Sequence, residues 1–570
     1  MGTKPIPVKM NRVMILLFAL ALVACTVAKK QKVSGLITDS AMVVSAHPLA
    51  SRVGKDVLRK GGNAVDAAIA TQLALAVVYP SAGNIGGGGF MLLRKVDGSV
   101  DALDYREKAP ALATSTMYLD SLGNVKEGLS YQGHLASGVP GTIAGLQAAH
   151  QKYGTLPWST LVQPAIDLAL KGFTLTEREA SGLNYVKKYL EKNNTRLPTF
   201  MIRDRWQKGD SIRFVDLGHT LERIRDLGGK GFYEGVTADS IVAEMTRGKG
   251  LISYADLKHY EAIWRTPIQG QYKEYNVISM PPPSSGGVAL FQLLNSTASF
   301  PLRSWGHNSV RAVHLMTEAE RRAYADRSVY LGDPDFFAVP VKKLVDKEYV
   351  RERMMTFDPD KATPSQTVKE GMIVSPESEQ TTHFSIVDAK GNAVAVTTTL
   401  NGSYGSFVVV SGAGFLMNNE MDDFSSKPGV PNMYGAVGGV ANKIEPDKRM
   451  LSSMTPTILE KNKKLFMVVG TPGGTTIITS VYQTILNVVE YGMNMQEAVT
   501  ARRLHSQWLP DIIEAETGSI SKSDSLALTR MGHQFVSRRA MGRVDAIRVL
   551  PDGRLEGGAD PRGDDAAEGF

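Results

Sequence analysis

The chain has 570 residues, 43% of them hydrophobic and 21% charged, and a formal net charge of +7. That is an ordinary globular composition with ample length for a large core. The charges are mixed, without a long Lys/Arg block or an aromatic-flanked basic stripe, so nucleic acid is a poor partner and the small positive surplus reads as solvated surface. A prior of about 150 residues per domain suggests roughly four domains, although a large α/β fold can use this length as one unit.

The first 24 residues read as an export leader. Lys4, Lys9 and Arg12 precede the apolar run 13–24, which is too short to span a bilayer comfortably. The only cysteine, Cys25, closes the string LVAC, a lipobox pattern in which the cysteine would be lipidated and become the mature N-terminus. Ordinary cleavage after Ala28 is the alternative. Both imply an exported chain, periplasmic or at the cell surface, and one cysteine allows no intramolecular disulfide.

Residues 46–78 read as two helices. Gly61-Gly62 ends the first, Asn63 or Asp66 starts the second, and the nearly all-apolar stretch 67–78 predicts a helix buried on most sides. The string SAGNIGGGGFMLLR is a Gly-rich loop entering a strand. Helical patterns dominate 141–194, with a break at 154–157. A Pro run at 281–283 leads into a helix, and 308–331 forms a long, highly charged one. Residues 356–380 are polar, without apolar period, and read as an exposed loop suited to cleavage. THFSIVD and AVAVTTT then read as strands joined by the turn 389–392, KLFMVVG as another, and TTIITSVYQTILNVVEYG as a buried helix. No repeat is present, and the mixture of strands and helices places the fold in the α/β or α+β class.

Familiar chemistry is missing. There is no HExxH, CxxC or paired-His pattern, so neither a metal site nor a cofactor is expected. There is no P-loop and no GxSxG elbow, and the run Gly86–Gly89 lacks dinucleotide-binding spacing.

What remains is an ordered series of motifs: GGNAVDAA, GGGGFM, YREKAP, SGVPGT, MPPPSSGG, QTTHFSIVD, TTTLNGSYGS, NNEMDDFSSKPGVPNMYG, LSSMTPTI, GTPGG and DPRGDDAAEGF. From about Ala46 to Phe570 this series resembles the γ-glutamyltransferases. The resemblance implies the four-layer αββα sandwich of N-terminal-nucleophile hydrolases. It also implies a precursor that cleaves itself between Gln380 and Thr381, giving a large subunit (25–380) and a small catalytic subunit (381–570) that remain together as a heterodimer.

Within that resemblance Thr381 is the nucleophile. A Thr hydroxyl needs a base, and cleavage frees an α-amine on the same residue, with a reference pKa near 7.7–8.0, that can serve. Thr399 matches a supporting hydroxyl. His383 shares a strand face with Thr381 and is a rival base, read here as an orienting residue. Arg106 matches the guanidinium that holds the donor α-carboxylate, helped by Ser452 and Ser453. Asn401, Glu420 and Asp423 match the acceptors for the α-ammonium, with Asp422 a weaker candidate. Gly473 and Gly474 match the oxyanion hole, and residues 428–439 match a lid whose Tyr434 walls the pocket. Gly88 and Gly89 are read as allowing close packing only. The implied substrates are glutathione or another γ-glutamyl donor, with water, an amino acid or a dipeptide as acceptor. Alternatives are a cephalosporin or glutaryl acylase, which needs no ammonium acceptor, a poly-γ-glutamate-processing relative, and a noncatalytic surface lipoprotein.

Overall fold

Two antiparallel sheets, each of seven strands, organise the molecule. The computed structural model describes residue 2 and residues 33–198, 203–368, 381–427, 429–430, 432–433 and 438–570; Cys25, Gln380 and Tyr434 lie outside the described residues. One sheet runs, edge to edge, through Ala566–Gly569, Met42–Ser45, Thr382–Val387, Ala393–Thr399, Gly88–Arg94, Val100–Tyr105 and Ile263–Arg265. The other runs through Ile37–Thr38, Leu555–Gly558, Asp545–Val549, Lys464–Gly470, Thr457–Lys461, Tyr275–Ser279 and Ile268–Tyr272.

Strand alternation sorts the side chains into layers. Phe384, Ile386, Val394 and Val396 join the core beneath the helices Pro48–Arg59, Ala64–Val78, Thr142–Tyr153 and Trp158–Lys171. Val387, Ala393 and Ala395 point the other way, into a core shared with Ile458, Met467 and Val469 of the second sheet and with the helices Gly286–Thr297, Val310–Tyr330 and Thr476–Val489. Helix, sheet, sheet and helix therefore stack as the expected four layers. The two sheets approach closely: the Ser385 hydroxyl donates to the Asp545 carbonyl at 2.9 Å, and a Cβ on Gly470 would stand 2.3 Å from the His383 ring.

Local predictions translate well. Asn63 and Asp66 both start the second helix, as a capping box, and every residue of Ala64–Val78 is buried. The break at 154–157 separates two helices as read. One expectation fails in part. Residues 356–368 are not simply an exposed loop: Ala362, Ser365 and Val368 are buried, and the Ser365 hydroxyl donates to the Trp508 carbonyl at 2.5 Å. Small and polar residues carry no apolar period, so pattern reading misses burial that comes from hydrogen bonding. Residues 369–380 lie outside the described residues.

Residues 35–570 form one compact unit, where length suggested roughly four domains. Strands from before residue 380 flank the 382–399 hairpin on both sides in a single sheet. No helix among the described residues is long and apolar enough to cross a membrane.

Candidate active site

Thr381 stands immediately before the strand Thr382–Val387, and Thr399 ends the adjacent strand. The antiparallel register pairs Thr382 with Thr398 and Thr399 with Gly88. One further step of that register brings Thr381 opposite Thr399, and both line a cavity of about 560 Å³. Thr399 Oγ1 accepts the Asn401 N–H at 2.7 Å, which holds Asn401 at the cavity with φ +68°. Arg106 follows the strand Val100–Tyr105 directly, beside Gly88. A Cβ there would meet the Tyr105 carbonyl at 2.5 Å and Glu107 Oε2 at 2.7 Å, so the close-packing reading of Gly88 holds. The same cavity is lined by Arg106, Asn401, Glu420, Asp423, Ser452, Ser453 and Gly474. Residues scattered over almost 370 positions of sequence are thus brought to one place.

Gly473 and Gly474 have φ values of +137° and +53°, conformations that favour glycine. They precede the helix Thr476–Val489. Gly474 lines the first cavity. Gly473 faces a second, larger cavity of about 1140 Å³ that also reaches Thr381 and includes Tyr79, Phe173, Phe214 and Tyr404. Thr381 therefore sits where two chambers meet.

The charged end of the first cavity is crowded. Arg106 is 1% exposed. Its Nη1 pairs with Glu420 and its Nη2 with Asp423, while Nη2 also donates to the Leu451 carbonyl at 3.0 Å. The residues expected to receive opposite ends of the substrate hold each other. Burial works against the Arg106 charge, but Glu420, Asp423 and Glu107 hold it protonated. Burial raises Glu420 and Asp423 above the usual carboxylate range, opposed by Arg106, and pushes Glu107 up to about 8. Asp422 turns away: it accepts from the Ser130 hydroxyl at 2.5 Å and the Met433 N–H at 2.8 Å, and burial lifts it to about 7. It ties down the segment after the acidic turn and leaves Asp423 to face the cavity.

His383 is fully buried between the sheets. Its ring nitrogens bond the hydroxyls of Thr397 at 2.9 Å and Ser385 at 3.1 Å, and burial depresses its pKa to about 3. A neutral ring held from both sides fits an orienting residue.

Sequence reading overlooked Arg327, which also lines the cavity. It belongs to the charged helix Val310–Tyr330, whose Glu318, Glu320, Arg321, Arg322 and Asp326 are all buried as well. It also overlooked Asn442, whose side chain donates to the Asp423 carbonyl at 2.6 Å and accepts the Leu451 N–H at 3.0 Å, joining the acidic turn to the serine loop. No spacing marks either residue; the PPPSSGG string, whose Ser285 meets Arg327, points only to that arginine. Among the described residues His314, Glu318 and His533 lie close enough to hold a cation. His314 and His533 already bond each other at 2.8 Å, and Glu318 is taken up by Arg322 at 2.7 Å and Thr363 at 2.6 Å.

Comparison with known proteins agrees with this geometry. A glutathione hydrolase proenzyme of Escherichia coli is 47% identical over 532 residues, 93% of this chain and 92% of that protein. A crystal structure of cephalosporin acylase from Bacillus halodurans superposes with a TM-score of 0.83 at 27% identity, covering 96% of this chain and 98% of that one. A gamma-glutamyltranspeptidase structure from Helicobacter pylori matches at 44% identity and TM-score 0.56, over 60% of this chain and 97% of its own. The profile of the Gamma-glutamyltranspeptidase family matches residues 50–570, a span that holds every residue lining the cavity, and the chain belongs to that family.

Proposed function

We propose that the chain is a γ-glutamyltransferase and glutathione hydrolase that matures by cutting itself between Gln380 and Thr381. The observation that carries this reading is the cavity itself. A candidate nucleophile, a guanidinium, two serine hydroxyls and two carboxylates line one cavity, a set of groups complementary to the α-carboxylate, α-ammonium and γ-carbonyl of a γ-glutamyl group. The paired acids Glu420 and Asp423 favour this donor over an acyl group without an ammonium, although an acylase shares the fold.

In maturation the Thr381 hydroxyl attacks the Gln380 carbonyl. The peptide C–N bond breaks, an ester forms, and water hydrolyses it to leave a free α-amine on Thr381. That amine is the base of the mature enzyme. In turnover Thr381 Oγ attacks the γ-carbonyl while its proton passes to the amine. The Gly473 and Gly474 N–H groups stabilise the oxyanion. The amide bond breaks, and the amine returns the proton to the leaving nitrogen, cysteinylglycine when the donor is glutathione. Water, an amino acid or a dipeptide then takes the γ-glutamyl group from Thr381 by the reverse steps. Arg106 with Ser452 and Ser453 holds the carboxylate, and Asn401, Glu420 and Asp423 hold the ammonium. The resemblance assigns Tyr434, outside the described residues, to the wall of the donor pocket. The second chamber, open to Thr381 and Gly473, receives the leaving group and the acceptor.

The leader supports an exported protein anchored through a lipid on Cys25, in the periplasm or at the cell surface. Incubation with a chromogenic γ-glutamyl anilide, with and without glycylglycine, tests the activity. Release of chromophore that glycylglycine accelerates is expected; hydrolysis of glutaryl but not γ-glutamyl amides would replace this reading by the acylase one.

A further inference from the structure

The helix Val310–Tyr330 brings one cation to the donor cavity besides Arg106. Arg327 is 7% exposed. Its Nε donates to Ser285 Oγ at 2.9 Å, and its Nη2 donates to Ser453 Oγ at 2.9 Å. The Ser285 hydroxyl donates a hydrogen bond to the Ser452 carbonyl at 2.7 Å, so the guanidinium, the PPPSSGG loop and the serine loop are locked together. The charge of Arg327 also acts on Asp423.

The direction of these bonds matters. A guanidinium only donates, and a hydroxyl has one proton to give. Ser453 Oγ has already accepted from Arg327, so its own O–H is turned to another acceptor. Ser452 is arranged alike, because its Oγ accepts the Met454 N–H at 3.1 Å. Both hydroxyls are thereby primed to donate, and both line the cavity. An anion placed there finds two hydroxyl protons free to turn toward it.

We propose that Arg327 is a positioning residue that turns the Ser453 hydroxyl into a donor for the donor's α-carboxylate, and so selects donors bearing that carboxylate over those lacking it. This rests on the γ-glutamyl reading of the cavity. Arg327 touches no reacting atom; it acts through Ser453.

The test compares parent, Arg327→Met, Arg327→Lys, Ser453→Ala and the double variant Arg327→Met/Ser453→Ala, each purified after self-cleavage. Two competitive inhibitors serve as probes: L-glutamate, and 4-aminobutyrate, which lacks the α-carboxylate. Arg327→Met should raise KM for γ-glutamyl-p-nitroanilide and the inhibition constant of L-glutamate about tenfold or more. It should leave kcat and the inhibition constant of 4-aminobutyrate nearly unchanged. Arg327→Lys, which keeps the charge but not the two-point hold, should fall between. On the Ser453→Ala background, Arg327→Met should add little, since the partner it orients is gone. Equal losses for both inhibitors, or fully additive effects of the two substitutions, would overturn the proposal. Should Arg327→Met not mature, Arg327→Lys/Ser453→Ala gives the same additivity reading. A parent enzyme inactive on γ-glutamyl donors sinks the functional reading instead, and an active parent with indifferent Arg327 variants sinks only this one.

Discussion

The two ends of the donor cavity are built in opposite ways. The nucleophile end is made by strand register, and its groups are uncharged: Thr381, Thr399, the Gly473–Gly474 turn and a neutral His383. The recognition end is made by loops and one helix, and it is dense with charge: Arg106, Glu107, Glu420 and Arg327 are buried and Asp423 is partly buried. The first end must place an oxygen accurately and needs a base only after cleavage has made one. The second must take a zwitterion out of water. Buried charges are costly unless they are paired, and here Arg106 pairs with Glu420 and Asp423. A γ-glutamyl group brings one charge of each sign, so it can part them without changing the net charge of the site.

The largest effect is expected at the nucleophile. Thr381→Ala should give a single uncleaved, folded chain, with activity lower by about 10⁴-fold or more. Thr381→Ser, which keeps a hydroxyl, should still cleave. Denaturing electrophoresis and N-terminal sequencing of the smaller fragment decide this. A wild-type chain that is active while uncut, or cut elsewhere than between Gln380 and Thr381, would falsify the N-terminal-nucleophile mechanism.

At the recognition end, Arg106→Ala should cost about 2–5 kcal/mol in kcat/KM, because it removes the carboxylate's partner and strands two acids. Arg106→Lys should remain poor, since an ammonium cannot reproduce the fork. Near-normal kinetics for either variant would remove Arg106 from donor recognition and with it the contrast between the two ends.

A smaller effect is expected from His383→Gln. The ring is already neutral, with a pKa of about 3, so it cannot be the group titrating near neutrality. Activity should fall only modestly, and the acidic limb of the pH profile of kcat/KM should stay where the Thr381 amine puts it. Loss of that limb on substitution would restore His383 as the base.

The smallest effect concerns stability. Burial holds Glu107 at about 8 in the folded protein, against about 4.3 in an unfolded chain. The folded state therefore binds the extra proton between those values. The associated stability is complete below about pH 4 and is lost as pH rises to about 8. Glu107→Gln should flatten this slope, gaining on the parent between pH 5 and pH 8 in denaturant midpoints. An unchanged difference across that range would place the proton elsewhere in the cluster.

Much of this protein could be read from its residues alone. Ala64–Val78 announced its burial by an unbroken apolar run, and Asn63 with Asp66 its start, because helix ends and periods are local properties. The strands around Thr381 were legible for the same reason. The resemblance carried by the ordered motifs pointed to Arg106, Thr381, Thr399, Asn401, Glu420, Asp423, Ser452, Ser453 and Gly474, about half of the residues that line the cavity. Tertiary structure alone decided the rest. That Arg106 rests against Glu420 and Asp423, that Asp422 faces Ser130, and that Arg327 reaches Ser453 all depend on how the layers close. The helix Val310–Tyr330 is the plainest case: its charges suggest nothing about burial, yet nearly all of them lie inside. A charged residue can be buried wherever an opposite charge or hydroxyl from another layer meets it, and no local pattern in the sequence records which layer that will be.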